Sequence, residues 1–114
     1  MVSARDVVDR QVAAYNHRDI DGFVACYAVD AKVVQPDGSS LASGHDQIRA
    51  LYGELFDQSP DLRAEIGNRI EVGGFVVDDE LVTGFVFRDM PSELHVAVAY
   101  RVEEGLIHEA HLYG

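Results

Sequence analysis

Cysteine occurs once in this 114-residue chain, tryptophan is absent, and only three prolines interrupt it. The lone Cys26 excludes an intrachain disulfide framework. Few prolines, 47% apolar residues and no segment of biased composition indicate a chain ordered throughout. Basic residues are also scarce, nine against twenty acidic, for a formal charge of −11. Phosphate backbones and anionic membranes are bound by clustered Lys and Arg, so neither nucleic acid nor a membrane is an expected partner. No apolar run approaches the roughly 18 to 20 residues that a membrane span needs. Met1 to Arg10 is charged rather than an apolar leader core, from which a cytoplasmic location is expected. The length fits one ordinary domain over residues 1–114.

What is present is periodic. Ser3 and Asp6 are spaced as a capping box, and Val8, Val12 and Tyr15 then share one helical face. Asn16-His17-Arg18 breaks the pattern. Asp19 is placed as a new N-cap, with Ile20, Phe23, Val24 and Tyr27 on the buried side of a second helix. Lys32-Val33-Val34-Gln35 reads as a strand stopped by the turn-forming Pro36-Asp37-Gly38-Ser39-Ser40. Gly44 then opens a third helix whose apolar face is Ile48, Leu51, Tyr52, Leu55 and Phe56, ended by Ser59-Pro60.

Strand-like runs follow at Leu62–Val72, Phe75–Val77, Leu81–Arg88, Glu93–Glu103 and Leu106–Tyr113, separated by Gly, Asp and Pro signals. Gly73-Gly74 reads as a turn or a bulge and Glu104-Gly105 as a hairpin turn. Helices followed by consecutive hairpins, without an internal repeat, predict an antiparallel α+β layer rather than the alternating βαβ units of a nucleotide fold.

Three stretches resemble the opening of ketosteroid isomerase relatives: Val7 to Asn16, Asp19-Ile20-Asp21-Gly22-Phe23-Val24-Ala25, and Asp30-Ala31-Lys32-Val33. Ser43-Gly44 entering the Ile48-Arg49 helix and a last strand ending Leu112-Tyr113-Gly114 stand at that group's spacing. Nearly the whole chain therefore resembles the SnoaL-like and ketosteroid isomerase-like group of the nuclear transport factor 2-like superfamily. The resemblance implies a cone of three N-terminal helices packed on a strongly curved antiparallel or mixed sheet. It also implies a pocket open at one end and a homodimer through the outer face of the sheet. The superfamily hosts isomerases, polyketide cyclases, epoxide hydrolases, dehydratases and plain binding modules, so fold alone does not choose an activity.

The isomerase chemistry implied by the resemblance needs a carboxylate base before a proline in the first strand, because a carboxylate takes an acidic α-proton and returns it. Gln35 stands there, before Pro36, and a carboxamide has no useful basicity. The oxyanion-holding positions fall on Gln11 and Val98, with Tyr15 one helical turn from Gln11. Steroid isomerisation by that mechanism is not expected. An epoxide hydrolase of the superfamily needs an Asp, Arg, Asp cluster around a water, and the inward-facing set read from the sequence supplies neither residue type.

That inward set comes from alternation along strands. It comprises Leu81, Thr83, Phe85 and Phe87 on one strand, Val96, Val98 and Tyr100 on the next, and Ile107, Glu109, His111 and Tyr113 on the last. Glu109 and His111, two apart on one strand face, are the candidate catalytic pair: a carboxylate beside an imidazole orients it as a general acid or base. Gln11, Tyr15, Gln35, Thr83, Phe85, Phe87, Val98, Tyr100 and Tyr113 are the candidate ligand-binding residues. The competing reading places Glu109 and His111 at a subunit interface or a wet edge. His108 and His111 point to opposite faces of a strand, unlike the helical histidine pair of a zinc motif, so no metal and no cofactor is expected.

Two functions remain open on the sequence. One is a small-molecule-binding protein, catalysing isomerisation, cyclisation or elimination on an apolar carbonyl compound. The other is a non-catalytic binding or dimerisation module.

Overall fold

In the computed structural model, which describes residues 2–114, the Ser3 hydroxyl accepts from the Asp6 amide at 3.1 Å. The Asp6 carboxylate accepts from the Ser3 amide in return. This capping box starts helix α1 (Ala4–Asn16). Asp19 accepts from the Gly22 amide at 3.0 Å and starts helix α2 (Ile20–Ala25), as its position predicts. Tyr27, expected on that helix, instead begins strand β1 (Tyr27–Val34). Strand β2 (Ser40–Ser43) turns back against β1, and helix α3 (Gly44–Gln58) follows.

Four longer strands complete the chain: β3 (Arg63–Val72), β4 (Phe75–Thr83), β5 (Leu94–Glu103) and β6 (Leu106–Tyr113). The runs expected separately at Phe75–Val77 and Leu81–Arg88 are otherwise divided. Asp78-Asp79-Glu80 lies inside β4, and the chain leaves the sheet after Thr83. One curved, open sheet holds all six strands in the order β2-β1-β6-β5-β4-β3, antiparallel except for the parallel β1–β6 pair. The fold is the α+β cone expected, with its three helices against the concave face.

Packing is anchored where helices meet that face. Phe23 of α2 is fully buried between Tyr52 and Phe56 of α3 and Tyr15 of α1, its ring 4.5 Å from that of Tyr52. Burying such a side chain contributes roughly 1.5 to 3 kcal/mol, so this aromatic cluster is a main tie between helices. Its Tyr15 and Tyr52 also line the cavity below.

Two irregularities decide which strand residues look inward. At the end of β4, Gly84 has φ +68, and a Cβ there would lie 2.1 Å from the Asp61 carbonyl oxygen. Only glycine makes this turn, which redirects the chain so that Phe85 and Phe87 face the cavity although Thr83 does not. On β6, Ile107 pairs with Val102 while Glu109 pairs with Arg101, leaving His108 as an extra residue in the ladder. Such a bulge reverses the face of the strand residues that follow, although Tyr113 at the strand's exposed end still reaches the mouth of the cavity.

Candidate functional site

The concave face of the sheet and the helices enclose a cavity of about 450 Å³. All five tyrosines of the chain, Tyr15, Tyr27, Tyr52, Tyr100 and Tyr113, line it. Its walls are otherwise mostly apolar, as in ligand pockets generally. The exposed lining residues Pro36, Arg88, Met90, His95, Tyr113 and Gly114 mark the mouth, and the buried Gln11, Tyr27, Glu80, Val98 and Tyr100 mark the floor.

Glu80 is the one acidic residue in this lining. Only 7% of it is exposed. Its inward aim follows from β4, where Val76, Asp78, Glu80 and Val82 alternate as the buried face. Tyr100 donates to Glu80 Oε2 at 3.0 Å, whereas Oε1 takes no hydrogen bond from the described residues. Burial raises the carboxyl from 4.5 to about 7, outweighing the Tyr100 hydrogen bond that favours the charged form. Asp78, next along the same face, pushes the same way as burial, and Arg69 opposes it.

The phenols of Tyr15, Tyr27, Tyr52 and Tyr100 are all raised above their ordinary value, first by burial, and each also feels the charge of Glu80. At neutral pH they are therefore O–H donors gathered around one carboxyl. Only two phenol hydrogen bonds occur among the described residues, Tyr100 to Glu80 and Gln11 Nε2 to Tyr27. The hydroxyls of Tyr15 and Tyr52 are left for a ligand. So is Gln11 Oε1, which is buried without a partner. Rotating the Gln11 amide would satisfy Tyr27 as donor and leave Nε2 unpaired instead, so in either orientation one amide atom awaits a ligand.

Beneath the floor, Arg69 of β3 grips the fully buried Asp78 with two hydrogen bonds, Nε to Oδ1 at 2.6 Å and NH2 to Oδ2 at 2.9 Å. Its NH1 also pairs with Asp9 on α1. An Asp, Arg, Asp cluster thus exists, contrary to the inward set read from the sequence. None of its members lines the cavity, so it does not form the water site of an epoxide hydrolase.

Gln11, Tyr15, Gln35, Phe85, Phe87, Val98, Tyr100 and Tyr113 all stand in the cavity lining. Gln35 sits at the mouth, where its Oε1 accepts from the Ser39 hydroxyl at 3.0 Å as part of the turn. Leu81 and Thr83 do not line the cavity, because the Gly84 turn shifts the phase of alternation between them and Phe85. Glu109 and His111 do not line it either. They bond each other at 2.8 Å, as their spacing predicts, but on the outer face, where Glu109 also pairs with Arg101 at 2.8 Å. His111 first, then Arg101, holds the Glu109 carboxyl below its ordinary value. The His108 bulge is the reason: Ile107 lies in the core, and beyond the bulge Ala110 and Leu112 take the inward positions.

Sequence reasoning missed Glu80 and Asp78 because Asp78-Asp79-Glu80 looked like a break between strands. Among the described residues no three His, Cys, Asp or Glu side chains converge as metal ligands would, and no helix is long and apolar enough to cross a membrane.

A helix-backed, curved sheet closing on a tyrosine-lined cavity defines a protein of the nuclear transport factor 2-like class. Residues 8–110 match the SnoaL-like domain, and the chain belongs to that family. Solved structures share the fold at low identity. A cystatin-fold protein from Novosphingobium aromaticivorans superposes with a TM-score of 0.90 at 24% identity, over 100% of both chains. A protein of ketosteroid isomerase-like fold from Catenulispora acidiphila, in complex with trimethylamine, has a TM-score of 0.76 at 17% identity, over 96% of this chain and 85% of its own. TerC, co-crystallised with polyporic acid, has a TM-score of 0.79 at 18% identity, over 97% and 91%.

Proposed function

We propose that the cavity binds a small, largely apolar carbonyl compound and that Glu80 moves a proton on it, in an isomerisation, cyclisation or elimination. The observation that carries this reading is one carboxyl, poised near pH 7 by burial, among phenol donors at the floor of an apolar cavity. A base must be charged at the working pH yet able to return its proton, which a group near neutrality does best. In the step, an α-C–H bond breaks and its proton joins Glu80. The electron pair moves into an enolate whose oxygen accepts from the Tyr15 or Tyr52 hydroxyl, and the proton then returns to carbon. Fixed donors where charge develops need no reorganisation. Glu80 replaces the Glu109–His111 pair in this role. That structures of like fold were crystallised with polyporic acid and trimethylamine supports the small-molecule part of the reading.

The test is exchange of the α-hydrogens of 2-tetralone in D₂O, followed by proton NMR. The protein accelerates exchange with a midpoint near pH 7, and Glu80→Gln lowers the rate by about 100-fold or more. Binding of 2-tetralone without faster exchange supports the non-catalytic binding module instead.

For the sheet's outer face we infer a homodimer. Ile70, Val72, Phe75 and Val77 are exposed there side by side on β3 and β4, and such contiguous apolar surface marks an interaction site.

A further inference from the structure

The cavity has a second polar feature, at the end opposite Glu80. Among its lining residues Arg88 is the one Lys or Arg, in a chain where acidic residues outnumber basic ones twenty to nine. Arg5, Arg49, Arg63, Arg69 and Arg101 each have a carboxylate within ion-pair distance. Arg18 donates to the carbonyls of Asn16 and Leu62. Arg88 has neither kind of partner among the described residues, as is also true of Arg10 and Lys32, but of these three it alone lines the cavity, and Asp89 follows it in the same turn.

Nor is its side chain loose in solvent. Its Cζ lies 4.5 Å from the centroid of the Phe87 ring, which is itself buried in the cavity wall. The turn beneath is closed by Met90 N donating to Phe87 O at 3.2 Å. Arg88 takes φ +54, in the left-handed region that a non-glycine residue rarely adopts. A guanidinium is thus tethered over an aromatic ring at the mouth, with no acid but the distant, buried Glu80 in the lining. Asp89 makes no ion pair with it, and exposed charges beyond roughly 8 Å are largely screened at physiological salt.

We propose that the ligand is an amphipathic anion. Its apolar body fills the cavity, an oxygen function meets the phenols and Glu80 at the floor, and a carboxylate or other oxyanion pairs with Arg88 at the mouth. The planar fork of an arginine matches such a group bidentately. This names the substrate class for the reading given under Proposed function and rests on it.

Two fluorescent probes of one ring skeleton test it: 1-anilinonaphthalene-8-sulfonate, which carries an anion, and the neutral N-phenyl-1-naphthylamine. Both are titrated into the whole protein, and 2-tetralone must displace both. Arg88→Gln weakens the sulfonate about tenfold or more while the neutral probe moves less than about twofold. Arg88→Lys restores part of the loss, and added salt weakens only the sulfonate. If Arg88→Gln leaves the ratio of the two affinities unchanged, the anion site is wrong while the cavity reading stands. If neither probe binds, or 2-tetralone displaces neither, the cavity reading fails and takes this one with it.

Discussion

Tyr100 of β5 donates to Glu80 of β4 at 3.0 Å although the two are not cross-strand partners: Tyr100 pairs with Val76, and Glu80 with Val96. Both side chains lie along the concave face to meet, over the Asp78–Val98 pair between them. The sheet's curvature therefore builds the one contact that fixes the carboxyl in the cavity. The same curvature hides the contact from any local reading of the chain.

Glu80 makes the fold sensitive to pH in a direction opposite to an ordinary salt-bridged acid. Its carboxyl rises from 4.5 unfolded to about 7 folded, so between those values the folded state keeps a proton that the unfolded chain has lost. Stability from this group is present at low pH and is lost as pH rises through that window, by about 3 kcal/mol in all. Glu80→Gln, which still accepts from Tyr100, removes the penalty. At pH 8 the variant melts above the unsubstituted protein by on the order of 10 °C, and at pH 4.5 the two nearly coincide, as read by circular dichroism. Parallel melting curves at every pH would show that Glu80 is not held protonated by burial.

The Arg69–Asp78 pair predicts a non-additive pattern. Arg69→Met leaves a fully buried carboxylate uncompensated and costs about 3 to 5 kcal/mol in urea unfolding. Adding Asp78→Leu removes that charge and recovers most of the loss. Asp78→Asn alone lowers the midpoint of Glu80, followed by ¹³C NMR of its carboxyl, because a negative neighbour disappears. Additive losses with an unmoved Glu80 midpoint would mean that the cluster is neither coupled as a pair nor felt at the site.

Much of this architecture is local, and local chemistry is legible. Ser3 with Asp6, Asp19 with Gly22, and the face from Ile48 to Phe56 mark helices because the caps and apolar stripes are complete within one turn or two. Glu104 and Gly105 both take positive φ, as a tight hairpin requires. Alternation alone places the lining where it runs unbroken, as along Val96, Val98 and Tyr100, while Gln11, Tyr15 and Gln35 follow from the family resemblance. On β4 both faces carry apolar and acidic residues, Val76, Asp78, Glu80 and Val82 against Phe75, Val77, Asp79 and Leu81, so no pattern chooses the inward one. What chooses it is tertiary: Arg69 across the β3–β4 ladder and Tyr100 across the cavity floor. The single extra residue at His108 then turned a correct pairing, Glu109 with His111, onto the wrong face.

The outer face supplies the last prediction. Ile70 pairs with Val77, and Val72 with Phe75, which places four exposed apolar side chains on adjacent strands. On the same face Arg101, Glu109 and His111 form a half-exposed polar chain on β5 and β6. An apolar centre beside a polar margin is the anatomy of a protein interface, and a two-fold contact uses the same patch on both copies. A stable pair of copies buries about 800 Å² on each. Light scattering after gel filtration therefore gives twice the chain mass of 12.5 kDa. Val77→Arg places a charge at the centre of the patch without touching the cavity, so it yields a monomer that still binds 2-tetralone. A chain that is already monomeric at about 100 μM, about a hundredfold above a micromolar dissociation constant, would remove the dimer from consideration.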